Sequence, residues 1–273
     1  MRAATTRTVF GLPVLLGCCV LALPAAMAQK AGDASPRLAD GHPDFSGNWD
    51  NGSGIDFVQP RKDGKSLCVF GCPGAPPPPD GPGAPPPPKG PEYKPEFAAR
   101  VADLNKRQVS EDPVLRCKPP GVPRIGPPDK IVQRPGEAVF LYDDVSGNFF
   151  RIVPTDGRAH IKDAEPSFLG DAVGHWEGDT LIIETLKFNT DTWLTDDGAF
   201  HTKDLRVVER LRRTGADTLE WSATVYDPGV LSAPWQVAPR VERATNVAMV
   251  EAAPCIEQSL SHMVDDTHHT NPR

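Results

Sequence analysis

The sequence lacks the short motifs that mark several large enzyme classes. It has no G-x-S-x-G elbow, no glycine-rich phosphate loop, no dinucleotide-binding fingerprint and no H-E-x-x-H helix. These absences weigh against a serine hydrolase, a nucleotide-dependent enzyme and a zinc protease. We therefore expect a protein that needs no cofactor and no metal.

Positive charge and long apolar runs are also scarce. The chain has 29 Lys and Arg against 36 Asp and Glu, which gives a net charge of −7. An acidic protein has no electrostatic attraction for nucleic acid, so we expect no nucleic-acid partner. The apolar run 9–26 is broken by Pro13 and Pro24 and is too short for a comfortable membrane span, so we expect none.

The first 28 residues have the features of an export signal. Arg2 and Arg7 precede the apolar run, and residues 26–28 (Ala-Met-Ala) form a small-residue cleavage site. We expect residues 1–28 to be removed and the mature protein to be periplasmic or secreted. An alternative is that Cys18 ends a lipobox and carries a lipid anchor.

Four cysteines remain after that cleavage, and an even number in an oxidising compartment predicts disulfides. Cys68 and Cys72 are close enough in sequence to close a small loop, which leaves Cys117 to pair with Cys255. A zinc site at Cys68 and Cys72 is the alternative, although no second pair of ligands has a suitable spacing.

Proline is concentrated in the first half of the chain. A nine-residue unit with four consecutive prolines occurs at 73–81 and again at 82–90. Such runs favour polyproline II, so we assign 73–92 to a solvated, semi-rigid insert. Recognition by a proline-binding partner is its alternative role. Residues 29–72 form an N-terminal segment with a first strand.

The rest of the chain has the pattern of short strands preceded by one helix. Apolar residues at helical spacing predict a helix within 95–107. Beyond Lys130, β-rich runs are bounded by turn signals, of which Gly178-Asp179 is a strong hairpin signal. About eight antiparallel strands predict an all-β barrel or sandwich, and a closed barrel also removes edge strands. We assign the barrel and its helix to 93–260 and a disordered tail to 261–273.

Histidines and carboxylates in the second half are candidates for acid–base chemistry. His175 and Glu177 are two residues apart on one predicted strand, so both point to one face and Trp176 points to the other. His160 follows a tight turn, and Arg158 two residues before it is placed to hold an anionic or carbonyl group. The alternatives are a plain turn at Arg158 and a metal bound by His160, His175 and Glu177.

Glu209 shares its strand phase with apolar residues, which predicts a buried carboxylate or one at the end of the barrel. Burial raises the pKa of a carboxyl group unless a cation or hydrogen-bond donors face it, and an acid with such a pKa is a candidate proton donor. The alternative is an ion pair with an arginine of a neighbouring strand, such as Arg151 or Arg243.

The loop that ends at His201 carries Trp193 and other aromatic residues among several aspartates. Aromatic residues on a loop at a barrel mouth suit a lid over an apolar ligand. The same residues equally suit a plug that closes the end of the barrel as part of the core.

Five phrases of the sequence resemble a broad family of exported bacterial proteins. They are PDFSGNW at 43–49, DPVLRCKPPGVPR at 112–124, DGRAH at 156–160, GHWEGDT at 174–180 and VER at 208–210. The resemblance implies a secreted, lipocalin-like (calycin-type) barrel and brings no particular reaction with it. The proline repeat and the pair Cys68 and Cys72 depart from the family pattern.

These features lead us to expect an exported barrel with a central pocket for a small, largely apolar molecule. The leading hypothesis is cofactor-independent acid–base catalysis by a lyase or isomerase, in which His160 and His175 transfer protons and Glu177 or Glu209 orients them. The residues expected to contact the substrate are Arg158, Trp176, Trp193 and His201. The alternatives are a non-catalytic carrier of a hydrophobic ligand and an envelope interaction protein that works through its proline insert.

Overall fold

The structure, a computed structural model, describes residues 35–50, 61–63, 66–68, 89–144, 146–252 and 254–255. These residues all belong to one compact unit. The expected signal peptide, most of the proline-rich insert, Cys72 and the expected tail lie outside the described residues.

Antiparallel β-structure dominates the described part of the chain. The strands are β1 Gly47–Asp50, β2 Arg61–Asp63, β3 Ser66–Cys68, β4 Lys130–Arg134, β5 Glu137–Asp144, β6 Gly147–Pro154, β7 Asp171–Glu177, β8 Thr180–Leu186, β9 Arg206–Gly215, β10 Thr218–Tyr226 and β11 Trp235–Thr245. All but β2 and β3, which pair with each other, belong to one nine-stranded sheet. The alternation expected for β10 is confirmed, because every second residue from Leu219 to Val225 is buried.

Helical structure is short and precedes the barrel. Its elements are a 3-10 turn Pro95–Phe97, α1 Ala98–Lys106, α2 Gln108–Glu111 and a second 3-10 turn Val114–Arg116. The helix predicted within 95–107 therefore exists, although its first turn is 3-10. Across the described ranges, no helix is both long enough and apolar enough to cross a membrane.

The nine-stranded sheet curls into a nearly closed barrel. The order across the sheet is β6-β5-β4-β1-β11-β10-β9-β8-β7, and every neighbouring pair is antiparallel. Read as a ring, this order follows the sequence with β2 and β3 left out, so the barrel is an up-and-down meander. The expectation of an antiparallel barrel is confirmed.

The odd number of strands explains why the barrel has an open seam between β6 and β7. Because each step around the sheet reverses direction, the first and last of nine strands run the same way. Parallel neighbours require a long crossover, which residues 155–170 provide. At one end of the seam the Gly157 backbone N–H donates to the Gly174 carbonyl at 3.0 Å. This contact brings the two edge strands together at that end.

The inside of the barrel is filled by side chains. Aromatic and aliphatic residues from all nine strands except the short N-terminal part of β7 alternate inward, and the fully buried set includes Phe140, Leu181 and Trp221. In the loop that ends at His201, Trp193 and Phe200 are also buried. These aromatic residues therefore lie in the core, as in the plug alternative.

A proline-rich strap crosses from the helices to β4. The Asp112 carboxylate is buried and accepts two hydrogen bonds of 2.7 Å from the Arg124 guanidinium. Cys117 is joined to Cys255 by a disulfide that spans 138 residues of sequence. The expected Cys117 to Cys255 pairing is confirmed, whereas the expected Cys68 to Cys72 pairing lies partly outside the described residues.

Candidate functional site

A charged pair lies inside the barrel. The side chains of Arg151 on β6 and Glu209 on β9 are 2% and 1% exposed. Arg151 donates from Nη1 to Oε1 of Glu209 at 3.1 Å and from Nη2 to Oε2 at 2.6 Å. This two-point geometry is the strongest that an arginine and a carboxylate can form. Glu209 is therefore ion-paired with an arginine of another strand, as in the alternative considered above.

Three further side chains complete this interior network. Arg151 also donates to the Tyr142 hydroxyl at 3.1 Å and to the Thr185 hydroxyl at 2.8 Å, while Trp221 donates from Nε1 to Glu209 at 3.1 Å. Burial raises the pKa of Tyr142. Burial also opposes the charge of Arg151, but the Glu209 carboxylate outweighs it and raises the pKa of Arg151. The network thus joins five strands around one buried charge pair.

The seam opens onto this network through a depression of about 370 Å³. Its walls are mainly apolar, and Arg151 is the charged residue among them. The lining residues are Pro119, Phe150, Arg151, Ile152, Ser167, Phe168, Leu169, Gly170 and Ala172. Arg151 Nε is buried and has no hydrogen-bond partner. This seam pocket therefore combines apolar walls with an unused hydrogen-bond donor.

His160 lies outside the pocket lining, in an acidic cluster on the outer wall. Its Nδ1 is 2.8 Å from Asp171 Oδ2, and its Nε2 is 3.3 Å from Glu184 Oε1 without the geometry of a hydrogen bond. Arg206 also pairs with Glu184, at 2.5 Å. The imidazole is thereby oriented by one carboxylate and faces a second one that an arginine already neutralises.

His175 and Glu177 share the outer face of β7, as their spacing predicts. Both are more than half exposed, their side chains are 3.5 Å apart, and Glu177 pairs with Arg210 at 2.8 Å. Trp176 points to the opposite face, where it stacks on His42 with ring centroids 4.5 Å apart. The structure therefore places this pair on a solvated wall.

The other expected substrate contacts are dispersed. Arg158 pairs with Asp156 on the surface at 2.7 Å, and the hydrogen bond from Arg158 lowers the pKa of Asp156 to about 2. His201 is buried in the plug loop beside Thr192, whose hydroxyl is 2.6 Å from Nε2, and burial lowers the pKa of His201. Trp193 lies in the same plug. The expected catalytic and contact residues thus occupy the interior, the outer wall and the plug.

Sequence reasoning missed a second buried acid, Glu242 on β11. It is 0% exposed, and neither carboxylate oxygen has a hydrogen-bond partner. Burial, reinforced by the charge of Asp129, raises the pKa of Glu242 to about 8. Burial also raises the pKa of Asp129 itself, to about 6. In the ranges that the structure describes, no three carboxylates, histidines or cysteines converge as a metal site requires.

Sequence reasoning also missed the pocket role of Arg151. The available signal was its strand phase, because Arg151 shares its face with the fully buried Val153 in an otherwise apolar run. A charged residue in phase with a buried valine indicates a partnered interior group, just as Glu209 did.

These observations define a class: an up-and-down antiparallel β-barrel with a charged pair in its interior and an apolar pocket at its open seam. No family model, curated protein or solved structure matches the chain. The resemblance to exported bacterial proteins therefore stays a prediction from the sequence phrases.

Proposed function

We propose that this protein is an exported, lipocalin-like β-barrel that binds a small, largely apolar molecule at its seam. The observation that carries the proposal is the seam pocket. Its volume of about 370 Å³ is in the range of small-molecule sites, and its apolar lining contains one charged group. Because side chains fill the interior, the ligand site moves from the barrel axis to the seam.

Binding suits the geometry better than catalysis does. The two groups expected to transfer protons, His160 and His175, are not part of the pocket lining. Glu209 is engaged by Arg151 and Trp221. A carrier needs only an apolar pocket and a polar group that orients the ligand, and the seam supplies both.

A matched pair of variants tests ligand binding. Ile152 and Val132 are exposed to 54% and 52% on outer strand faces, but only Ile152 lines the pocket. N-phenyl-1-naphthylamine, a neutral apolar fluorophore, should bind the wild type saturably. We expect Ile152→Asp to weaken its binding at least about tenfold, because a carboxylate at the pocket wall disfavours an apolar ligand.

Val132→Asp is the control and should leave the affinity within about twofold, since it lies two strands away from the seam. Absence of saturable binding by the wild type, or equal losses in the two variants, would refute the seam as the ligand site.

The disulfide supports the export part of the proposal. Disulfides persist in oxidising compartments, and Cys117 and Cys255 are bonded. Expression of the full chain in a Gram-negative host, followed by fractionation and N-terminal sequencing, should find it outside the cytoplasm and beginning at Gln29. Recovery from the cytoplasm with residues 1–28 retained would contradict export.

Acid–base catalysis at His160 is the second candidate function. It is favoured by the 2.8 Å contact that orients His160 on Asp171, which lies in sequence between the pocket residues Gly170 and Ala172. The small molecules that co-purify with the exported protein should then be converted by the wild type and left unchanged by His160→Gln. Equal fates of these molecules with both proteins, measured by mass spectrometry, would leave the carrier as the function.

A further inference from the structure

The hydrogen bonds of Arg151 leave one donor free. A guanidinium has five N–H groups, and here four of them are used. Nη1 donates to Tyr142 and Glu209, and Nη2 donates to Thr185 and Glu209. The fifth, Nε–H, is buried without a partner. A buried donor without a partner is unfavourable, so an acceptor that reached Nε would be bound with a gain in free energy.

The free donor lies on the edge of the guanidinium that faces the pocket. Because Glu209 takes both ends of the fork, the N–H of Nη2 that points to Thr185 lies along the same edge as Nε–H. Thr185 in turn packs against the pocket wall, since a Cβ added at Gly170 would lie 2.6 Å from its methyl carbon. Arg151 and Gly170 both line the pocket.

The charges around Arg151 restrict the ligand that can use this donor. The positive charge of Arg151 is already balanced by Glu209, and both side chains are at most 2% exposed. A ligand carboxylate would add an uncompensated negative charge beside Glu209, which is costly in a buried site. A hydrocarbon would leave Nε–H unpaired. A neutral acceptor oxygen satisfies the donor without adding charge.

We propose that the seam pocket selects small apolar molecules that carry one neutral acceptor oxygen, such as a ketone, ester or amide carbonyl, and orients them by a hydrogen bond from Arg151 Nε. This inference rests on the proposed function of the seam pocket and adds the chemical class of its ligand.

Three probes with one ring system test the selectivity. They are 2-acetylnaphthalene, which has a ketone oxygen, 2-naphthoate, which is ionised at pH 7, and 2-ethylnaphthalene, which has no acceptor. Each is titrated as a competitor of N-phenyl-1-naphthylamine on the full chain. We expect the ketone to bind at least about tenfold more tightly than either of the others, as one hydrogen bond from a charged donor allows.

The Nε–H group itself gives a second reading. In protein labelled with ¹⁵N-arginine, the Arg151 Nε–H signal should move downfield when the ketone saturates the pocket and move little with 2-ethylnaphthalene. Arg151→Lys keeps a positive charge opposite Glu209 but has no Nε–H. It should lose the preference for the ketone and keep its affinity for 2-ethylnaphthalene. If Arg151→Lys fails to fold, the spectrum of the wild type decides.

The outcomes separate this inference from the proposed function. Equal affinities for the ketone and the ethyl compound, with Ile152→Asp weakening both, would overturn the carbonyl selectivity while the seam pocket stands. Binding of the carboxylate as tightly as the ketone would overturn it as well. Failure of all three probes to compete would overturn both the selectivity and the seam pocket.

Discussion

Two glutamates inside the barrel show how neighbours decide what a buried acid does. Glu209 on β9 and Glu242 on β11 are both 0% exposed. Glu209 accepts hydrogen bonds from Arg151 and Trp221, whereas the carboxylate oxygens of Glu242 have no partner. Burial accordingly raises the pKa of Glu242 to about 8, so that it holds its proton at neutral pH.

The difference lies in what the adjacent strands present. Glu209 faces the Arg151 guanidinium across the barrel, and together they form an ion pair next to the seam. Glu242 is opposite Leu219 in the β10 and β11 ladder and is near the acid Asp129. One acid therefore supports the ligand pocket, and the other is a proton store in the barrel wall.

The largest effect is expected from removing one partner of the ion pair. Arg151→Met should leave Glu209 buried without its cation and lower the free energy of unfolding by about 3–5 kcal/mol. The double variant Arg151→Met, Glu209→Leu should recover most of that loss, because neither charge remains. Urea denaturation at pH 7 measures both.

If the double variant is as unstable as the single one, packing and not charge explains the loss, and the contrast between the two glutamates disappears.

A smaller, pH-dependent effect is expected from Glu242→Gln. Because the pKa of Glu242 is about 8 when folded and about 4.3 when unfolded, the folded state holds a proton that the unfolded chain releases between these values. Its contribution to stability is therefore complete at low pH and is lost as the pH rises through 8. We expect the wild type to lose about 3 kcal/mol relative to Glu242→Gln between pH 5 and pH 8.

Urea denaturation of both proteins across this pH range measures the difference. Parallel stability curves would mean that Glu242 is not protonated in the folded protein. Glu177→Gln, on the outer wall, serves as the control and should leave the slope unchanged.

The smallest effect is expected on that outer wall. Glu177 is 53% exposed and pairs with Arg210 at 2.8 Å. Exposed ion pairs contribute at most about 1 kcal/mol, so Glu177→Gln should change the free energy of unfolding by less than that. A loss comparable to that of Arg151→Met, measured in the same urea experiment at pH 7, would show that burial does not govern these charges.

Local patterns were sufficient to predict most of the fold. The Gly178-Asp179 turn signal correctly indicated the β7 and β8 hairpin, and alternation correctly placed Trp221 inside. The cysteine spacing led to the Cys117 to Cys255 disulfide. Each of these features depends on a turn, a period of two or a small number of possible partners.

Features that depend on long-range pairing were not predictable. The seam exists because β1 inserts between β4 and β11 and makes the strand number odd. Glu242 was missed because a bulge opposite Trp221 and Ala223 shifts the register of β11. Alternation counted from Val237 puts Val241 inside, but Val241 is 52% exposed and Glu242 is buried. The contact of His160 with Asp171 forms across the crossover 155–170, whose path no periodicity describes.

A crystal structure of the exported protein soaked with 2-acetylnaphthalene tests the central claim most directly. The account predicts electron density for the naphthalene ring between β6 and β7, with the ketone oxygen about 3 Å from Arg151 Nε and the Glu209 pair intact. Density for the ketone elsewhere on the barrel, or an empty seam at a saturating ketone concentration, would contradict it.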